Sequence, residues 1–261
     1  MDSRIIAAPS SGGMEMDFSP VWISLKTTVC SSAITFVLGI VAAWVVMFIK
    51  SKKWKAAVDG FLTIPLVLPP TVAGFFLLWL FGARRPIGSF VEEAFGFRIA
   101  FSWVATVLAA VVVSFPLMYR SAKAGFEQID QNMIEEAKML GLGKWGILWK
   151  ILFPCTFPSI LSGMILSTTR GLGEYGATAM LAGNIPGKTR TLPLAVYSEV
   201  AGGNMDRAAV YVAVILVIAF LSVWVMNMMA KTEQNIKYKC RIQKLQKRST
   251  KMEGRSGRPY G

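Results

Sequence analysis

Apolar residues fall along this chain in five blocks, each near the roughly 20 residues a helix needs to cross a bilayer. The blocks run from about 23 to 49, 58 to 82, 101 to 119, 156 to 182 and 208 to 229. No βαβ pattern interrupts them. The pattern predicts an all-α integral membrane protein with five core transmembrane helices. Residues 1–20 form a small, polar tail before the first span, and residues 231–261 form a basic tail after the last. The long connection at about 120–155 has room for a further helix, which its pattern places over residues 130 to 140.

Two blocks contain internal proline. The stretch IPLVLPP puts Pro65, Pro69 and Pro70 inside the second, and Pro116 lies in the third. Proline lacks the helix donor and clashes with the preceding turn. In hydrocarbon, a freed backbone group must find protein or water. Both blocks are therefore expected to be broken, and the second to face a protein interior or a wet pathway. Pro69, Pro70 and Thr71 become candidates for a translocation path or gate.

The fourth block carries charge. RGLGEYGA, residues 170–177, matches G-x-G-x-x-G at Gly171, Gly173 and Gly176. A dinucleotide site needs a strand before that match and an acid about 20 residues on. SGMILSTT precedes it instead, so the match is chance. Arg170 and Glu174 would each cost roughly 2.5 to 3.5 kcal/mol at the centre of a lipid-facing helix. Four residues apart, they share a helix face and face inward. The glycines allow close helix approach or a local break. Either the charges line a path or gate together with Gly173, or they are an ion pair that holds the bundle.

Composition removes several classes of function. Hydrophobic residues make up 54% and charged residues 16%, where soluble domains carry about a quarter charged. The net charge of +13 does not point to nucleic acid, because the apolar blocks are membrane-length and the basic residues lie between and after them. No histidine is present, which excludes histidine metal sites, Ser-His-Asp triads and histidine proton relays. Cys30, Cys155 and Cys240 form no C-x-x-C pair, so neither a zinc site nor a disulfide framework is expected. No G-x-x-x-x-G-K-[ST] loop exists, so ATP binding of the usual kind is not expected here. No catalytic residue, bound cofactor or metal is predicted.

Lysine and arginine orient the spans. Lys50, Lys52, Lys53 and Lys55 follow the first; Arg120, Lys123, Lys138, Lys144 and Lys150 lie between the third and fourth; the basic tail follows the fifth. These regions alternate correctly to share the cytoplasmic side. The N-terminus is then outside and the C-terminus inside a multi-pass protein of the cell membrane.

The connection before the fourth span reads IDQNMIEEAKMLGLGKWGILWKILFPCTFP. Glu135, Glu136 and Ala137 precede Gly141 by fixed spacing, and Ile151-Leu152-Phe153-Pro154 follows nine residues later. This resembles the EAA-x3-G-x9-I-x-L-P motif of ABC importer membrane subunits. Glu136 stands where the motif has its second alanine, and Phe153 where it has leucine. The resemblance implies a type I ABC importer permease fold, with a coupling helix carrying Glu135, Glu136, Ala137 and Gly141. It implies two nucleotide-binding ATPase subunits that use the ATP, a second copy of the chain, and an external binding protein. The apolar side of that helix, Met133, Ala137 and Leu140, is expected to need a partner to cover it. IPLVLPPTVAGFFLL, FSWVATVLAAVVVSFPLMYRSAKAGFE and TRGLGEYGATAMLAGNIPGKTRTLPLAVY are similar to molybdate permeases over about residues 19 to 230. Tungstate is not distinguished from molybdate by these residues. LGEYGA is shared with sulfate permeases, which leaves a sulfate/thiosulfate permease as an alternative. From another class, an ion-coupled secondary anion transporter would use Glu174 as its proton or sodium site. A membrane enzyme has no residue cluster to support it.

Overall fold

The computed structural model describes residues 17–139, 141–225 and 228. The expected tail through residue 16, and the basic tail at 231–261, lie outside the described residues. Among the described residues all regular structure is helical. Helix α1 (Ser19–Met47), α5 (Trp103–Glu127), a continuous helix at Lys144–Leu172, and Met205–Val225 are each long and apolar enough to cross a membrane. A bent pair, α2 (Lys52–Val67) and α3 (Pro70–Phe81), becomes a fifth if counted as one span. Shorter helices are α4 (Pro86–Phe95), α6 (Gln131–Met139) and α7 (Lys144–Ile147). One π-helical turn, Leu148–Leu152, joins α7 to α8 (Phe153–Leu172). Helices α9 (Gly176–Leu181) and α10 (Leu192–Ala201) follow, and α11 is Met205–Val225.

Helix α1 shows how the bundle is sorted. Ser24, Thr27, Ser31, Thr35, Gly39, Ala43 and Val46 are buried, three or four residues apart. The large apolar residues Trp22, Val29, Val37 and Val45 are exposed. Between apolar helices in lipid there is no hydrophobic gain from burial, so close approach of small residues and shared hydrogen bonds hold them together. Thr27 and Thr106 share a hydrogen bond of 3.0 Å, and Thr35 and Ser114 one of 3.2 Å, across α1 and α5. Trp103 Nε1 donates to Thr27 at 3.0 Å, and Thr168 of α8 donates to Ser32 at 2.8 Å. Each such bond contributes about 0.6 kcal/mol in a membrane. Helix α5 is thus the central post, packed by α1, α8, α2, α9 and α3.

The two ends of the bundle can be told apart. At one end Trp44 of α1 packs 4.7 Å from Trp145 of α7, and Lys55 of α2 pairs with Glu127 of α5 at 3.1 Å. This is the loop end, where α6 lies. At the far end, Lys26 of α1 sits 4.1 Å over the Trp103 ring, and Leu77 of α3 packs with Ala105, Leu181 and Ala182. The bent pair therefore starts at the loop end and finishes at the far end. Helix α11 begins at the far end, where the Tyr211 hydroxyl donates to the Asp17 carbonyl at 2.6 Å.

One expected break needs correction. Helix α5 runs without interruption through Pro116, which is buried in it. One missing donor is tolerated where neighbouring helices enclose the turn. The fourth block, expected over 156 to 182, continues helical back to Lys144, and it breaks after Leu172, among the glycines that allow a local break. In the second block the break comes at Pro69–Pro70, and Pro65 lies inside α2.

Close approach makes a stability prediction. A Cβ on Gly39 would lie 2.5 Å from Met118 Cγ and 3.1 Å from the Tyr119 backbone nitrogen, and both residues are fully buried. Gly39→Ala should cost about 1 to 3 kcal/mol through overpacking. Gly60, in α2, has nothing within 4 Å of that position, so Gly60→Ala should be neutral or stabilise by about 0.4 to 1 kcal/mol. Thermal unfolding of the detergent-solubilised chain measures both; equal effects would refute the packing account.

Candidate translocation site

The site begins with two prolines. A residue before proline is pushed to extended geometry. Leu68 precedes Pro69 and has ψ of 138°, and Pro69 precedes Pro70 and has ψ of 134°. Two extended residues in succession cannot continue a helix, and the axes of α2 and α3 differ by 111°. Helix α3 restarts with Ala73 N–H donating to the Pro69 carbonyl at 3.1 Å. Thr71 lies in this first turn.

The second break is made by glycine and by charge. Gly173 N–H still reaches the Thr169 carbonyl at 3.2 Å, and Glu174 N–H the Gly171 carbonyl at 3.2 Å. The chain then turns at Tyr175, and α9 starts. Arg170 Nη1 donates to Glu174 Oε2 at 2.8 Å. The other carboxylate oxygen, Oε1, accepts the Ala177 N–H of α9 at 2.8 Å. Glu174 thus holds the end of α8 and the start of α9 together. Its side chain is 1% exposed, while that of Arg170 is 34% exposed.

The breaks meet. A Cβ on Gly176 would lie 3.1 Å from Pro70 Cβ and 3.1 Å from the Thr71 nitrogen, so glycine lets these backbones approach without displacing a neighbour. One turn on, a Cβ on Gly74 would lie 2.7 Å from the Ala177 Cα. Helices α3 and α9 then run side by side to the far end, where Leu77 and Leu181 pack together. The depth follows from α8: Gly171 faces Ala110 and Ser114, near the middle of α5. Pro69, Pro70, Thr71, Arg170, Gly173 and Glu174 therefore gather at one mid-depth junction. Tyr175 joins them and packs 5.2 Å from Tyr197 of α10. Tyr175 was visible within LGEYGA; nothing local in the sequence marked Tyr197.

The loop end is wired to the same junction through α2. Asp59, an acid inside the second apolar block, accepts from the buried Tyr119 hydroxyl at 2.7 Å and pairs with Lys123 at 2.7 Å. Sequence reasoning passed over Asp59, although a lone carboxylate in an apolar run was the available signal. Helix α6 lies against the lower core. Ile134 and Ala137 are buried there with Phe126, Ile147 and Leu148, while Glu135, Glu136 and Met139 are exposed. The apolar side expected to await a partner is thus covered in part by the chain itself. Asp130 accepts the Asn132 N–H at 3.0 Å before the first turn. After the last turn, Leu142 N–H reaches the Ala137 carbonyl and Gly141 N–H the Lys138 carbonyl, each at 3.0 Å, with Gly141 at φ +79°. This pair of hydrogen bonds around a left-handed glycine is the Schellman stop.

Residues 35–238 match the family described as the binding-protein-dependent transport system inner membrane component. The chain belongs to this family. It is an integral inner-membrane permease, a transport subunit rather than an enzyme, of an ABC importer that works with ATPase and substrate-binding partners. A Bacillus subtilis (strain 168) protein, YvgM, named provisionally as a molybdenum transport system permease, is 44% identical over 214 residues, 82% of this chain and 93% of that one. The molybdenum transport system permease protein ModB of Escherichia coli (strain K12) is 38% identical over 213 residues, 80% of this chain and 93% of its own. Among solved structures, a chain of the MetNI methionine ABC transporter in inward-facing conformations shares the type I importer permease fold. It is 17% identical, with a TM-score of 0.60, over 82% of this chain and 96% of that one.

The double role of Glu174 in this permease is testable. Glu174→Ala removes both hydrogen bonds and should cost about 2 to 3 kcal/mol, while Glu174→Gln keeps an acceptor for Ala177 and should cost about half as much. The exchange Arg170→Glu with Glu174→Arg should stay destabilised, because arginine cannot accept the Ala177 N–H. Unfolding in detergent reads all three. Full recovery by the exchange would mean that only the ion pair matters.

Proposed function

We propose that this permease moves molybdate, or the similar dianion tungstate, into the cell as one of two copies, with the path between them at the junction of the broken spans. Its likeness to two molybdenum permeases over about four-fifths of the chain supports the substrate. The observation that carries the mechanism is Arg170. It is anchored by Glu174 at mid-depth with its guanidinium still partly open, which suits a weak attraction for a passing dianion. A permease need not grip the anion tightly, since a separate external protein does the selecting and tight binding would slow release. The burial of Glu174 behind two hydrogen bonds disfavours the ion-coupled alternative, which needs a carboxylate open to a proton or sodium.

Two ATPase subunits bind and hydrolyse the ATP, and this chain holds no cofactor. The distribution of lysine and arginine puts the loop end in the cytoplasm and the N-terminus outside. Helix α6 is then the coupling helix. It meets the ATPase through Glu135, Glu136 and Met139, and Ala137 passes its displacement into the lower core. From there the Asp59–Tyr119–Lys123 cluster ties α5 to α2, which ends at the first break. ATP shifts the populations of two arrangements because the ATPase subunits bind them differently.

The double change Glu135→Lys with Glu136→Lys should abolish co-purification of the ATPase while the permease still inserts. Gly141→Trp, which forces a left-handed backbone on a bulky residue, should cut ATP-driven uptake at least tenfold in reconstituted vesicles. Normal uptake by both variants would defeat the coupling assignment. Calorimetric titration of the isolated permease with molybdate should show no micromolar binding, and uptake should require the binding protein. Tight binding by the permease alone, with uptake that ignores the binding protein, would favour the ion-coupled reading.

A further inference from the structure

The far end of α3 carries a pocket that the transport path does not use. A cavity of about 460 Å³ opens there, its floor made by Phe75, Leu78, Trp79 and Phe101, its rim by Arg84, Arg85 and Arg98. Arg85 lies 5.2 Å over the Trp79 ring. Arg98 is held by Glu92 of α4 at 2.7 Å, so the rim keeps a positive excess. The wall is built rather than incidental. Phe101 is the one described non-glycine residue with positive φ, at +59°. Such a conformation costs an L-residue about 1 to 2 kcal/mol. It is kept by the Phe101 N–H bond to the Leu181 carbonyl at 3.1 Å and by the ring lying against Gly183. Phe101 and Trp79 line the same cavity.

The position fixes the chemistry of the occupant. The arginines follow directly on the end of α3, where a crossing helix leaves the hydrocarbon. Trp79, Phe75 and the α4 residues Phe90 and Phe95 are exposed around them. Aromatic rings and arginines at this depth mark the level of lipid headgroups. A free oxyanion would meet the cations but gains nothing from an apolar floor. An acidic protein surface would need the rim but not the cavity beneath it. We infer that this pocket holds an anionic phospholipid, its phosphate on the Arg84, Arg85 and Arg98 rim and an acyl chain against Phe75, Trp79 and Phe101. The site places one lipid at the far end of α3 and against Phe101, whose N–H is bonded to Leu181 of α9.

The test is native mass spectrometry of the full chain released from mixed micelles containing phosphatidylglycerol and phosphatidylcholine at equal amounts. The expected result is a retained phosphatidylglycerol adduct in preference to phosphatidylcholine, weakening with added salt. Arg84→Gln with Arg85→Gln should weaken it roughly fivefold per arginine removed. Arg84→Lys with Arg85→Lys should keep it, which separates charge loss from misfolding, and Trp79→Leu should weaken it without changing the charge. The inference is overturned by wild type retaining both lipids equally, or by the glutamine variant retaining phosphatidylglycerol undiminished. It is overturned too if excess molybdate displaces the adduct. A further contrary result is that the arginine changes leave lipid untouched and weaken instead the external binding protein's affinity or self-association of the chain.

Discussion

A backbone group freed from its helix inside hydrocarbon must find another polar partner or water, and the layout of this permease follows from that constraint. Two spans are broken, one by Pro69 and Pro70 and one beyond Leu172. They are not broken at random depths. Gly176 lets the second break close on Pro70 and Thr71 of the first, and the Glu174 carboxylate takes up the Ala177 N–H that the break exposes. Away from that junction, α1, α5 and α8 are continuous and are held by hydroxyl pairs and small residues. The molecule divides into an unbroken frame and a pair of jointed helices.

The joint and the loop end are mechanically close. Among the described residues, helix α2 leaves the lower core and enters the first break directly. It is fixed to α5 by three polar contacts, Lys55 with Glu127 and Asp59 with both Tyr119 and Lys123. Neither α2 nor α11 is well covered by the rest of the chain, as fits surfaces that meet lipid or a second copy. A displacement of α6 therefore has a short packed route, through Ala137 and Phe126, to a helix whose far end is a hinge.

Much of this was legible in the sequence because the signals were local. Long apolar runs gave the spans, consecutive prolines gave the first break, and the loop pattern gave α6, since each depends on its own neighbours. The failures came where the outcome depends on contacts far away in sequence. Pro116 reads as a break but sits in the most enclosed helix, where α1 and α8 steady it. The break beyond Leu172 carries no proline; the glycines permitted it, but its place is set by a Glu174 carboxylate that accepts the Ala177 N–H at the start of α9. Ala137 reads as an exposed position awaiting a partner, yet Ile147 and Leu148 cover it. One signal was available and went unused: the hydroxyl and glycine residues of α1 from Ser24 to Gly39 recur at helical spacing and mark the face that meets α5.

The central claim is that the two breaks line a wet path while the outer faces of the same bundle meet lipid. It is tested most directly by thiol accessibility in assembled, membrane-embedded importer with Cys30, Cys155 and Cys240 replaced by serine. Single cysteines at Thr71 and Tyr175 should react with a membrane-impermeant methanethiosulfonate and be protected by closing the path with ATP analogue or binding protein. Cysteines at the exposed Val37 of α1 and Val217 of α11 should not react. Inert cysteines at Thr71 and Tyr175, or equal reaction at all four positions, would contradict the account.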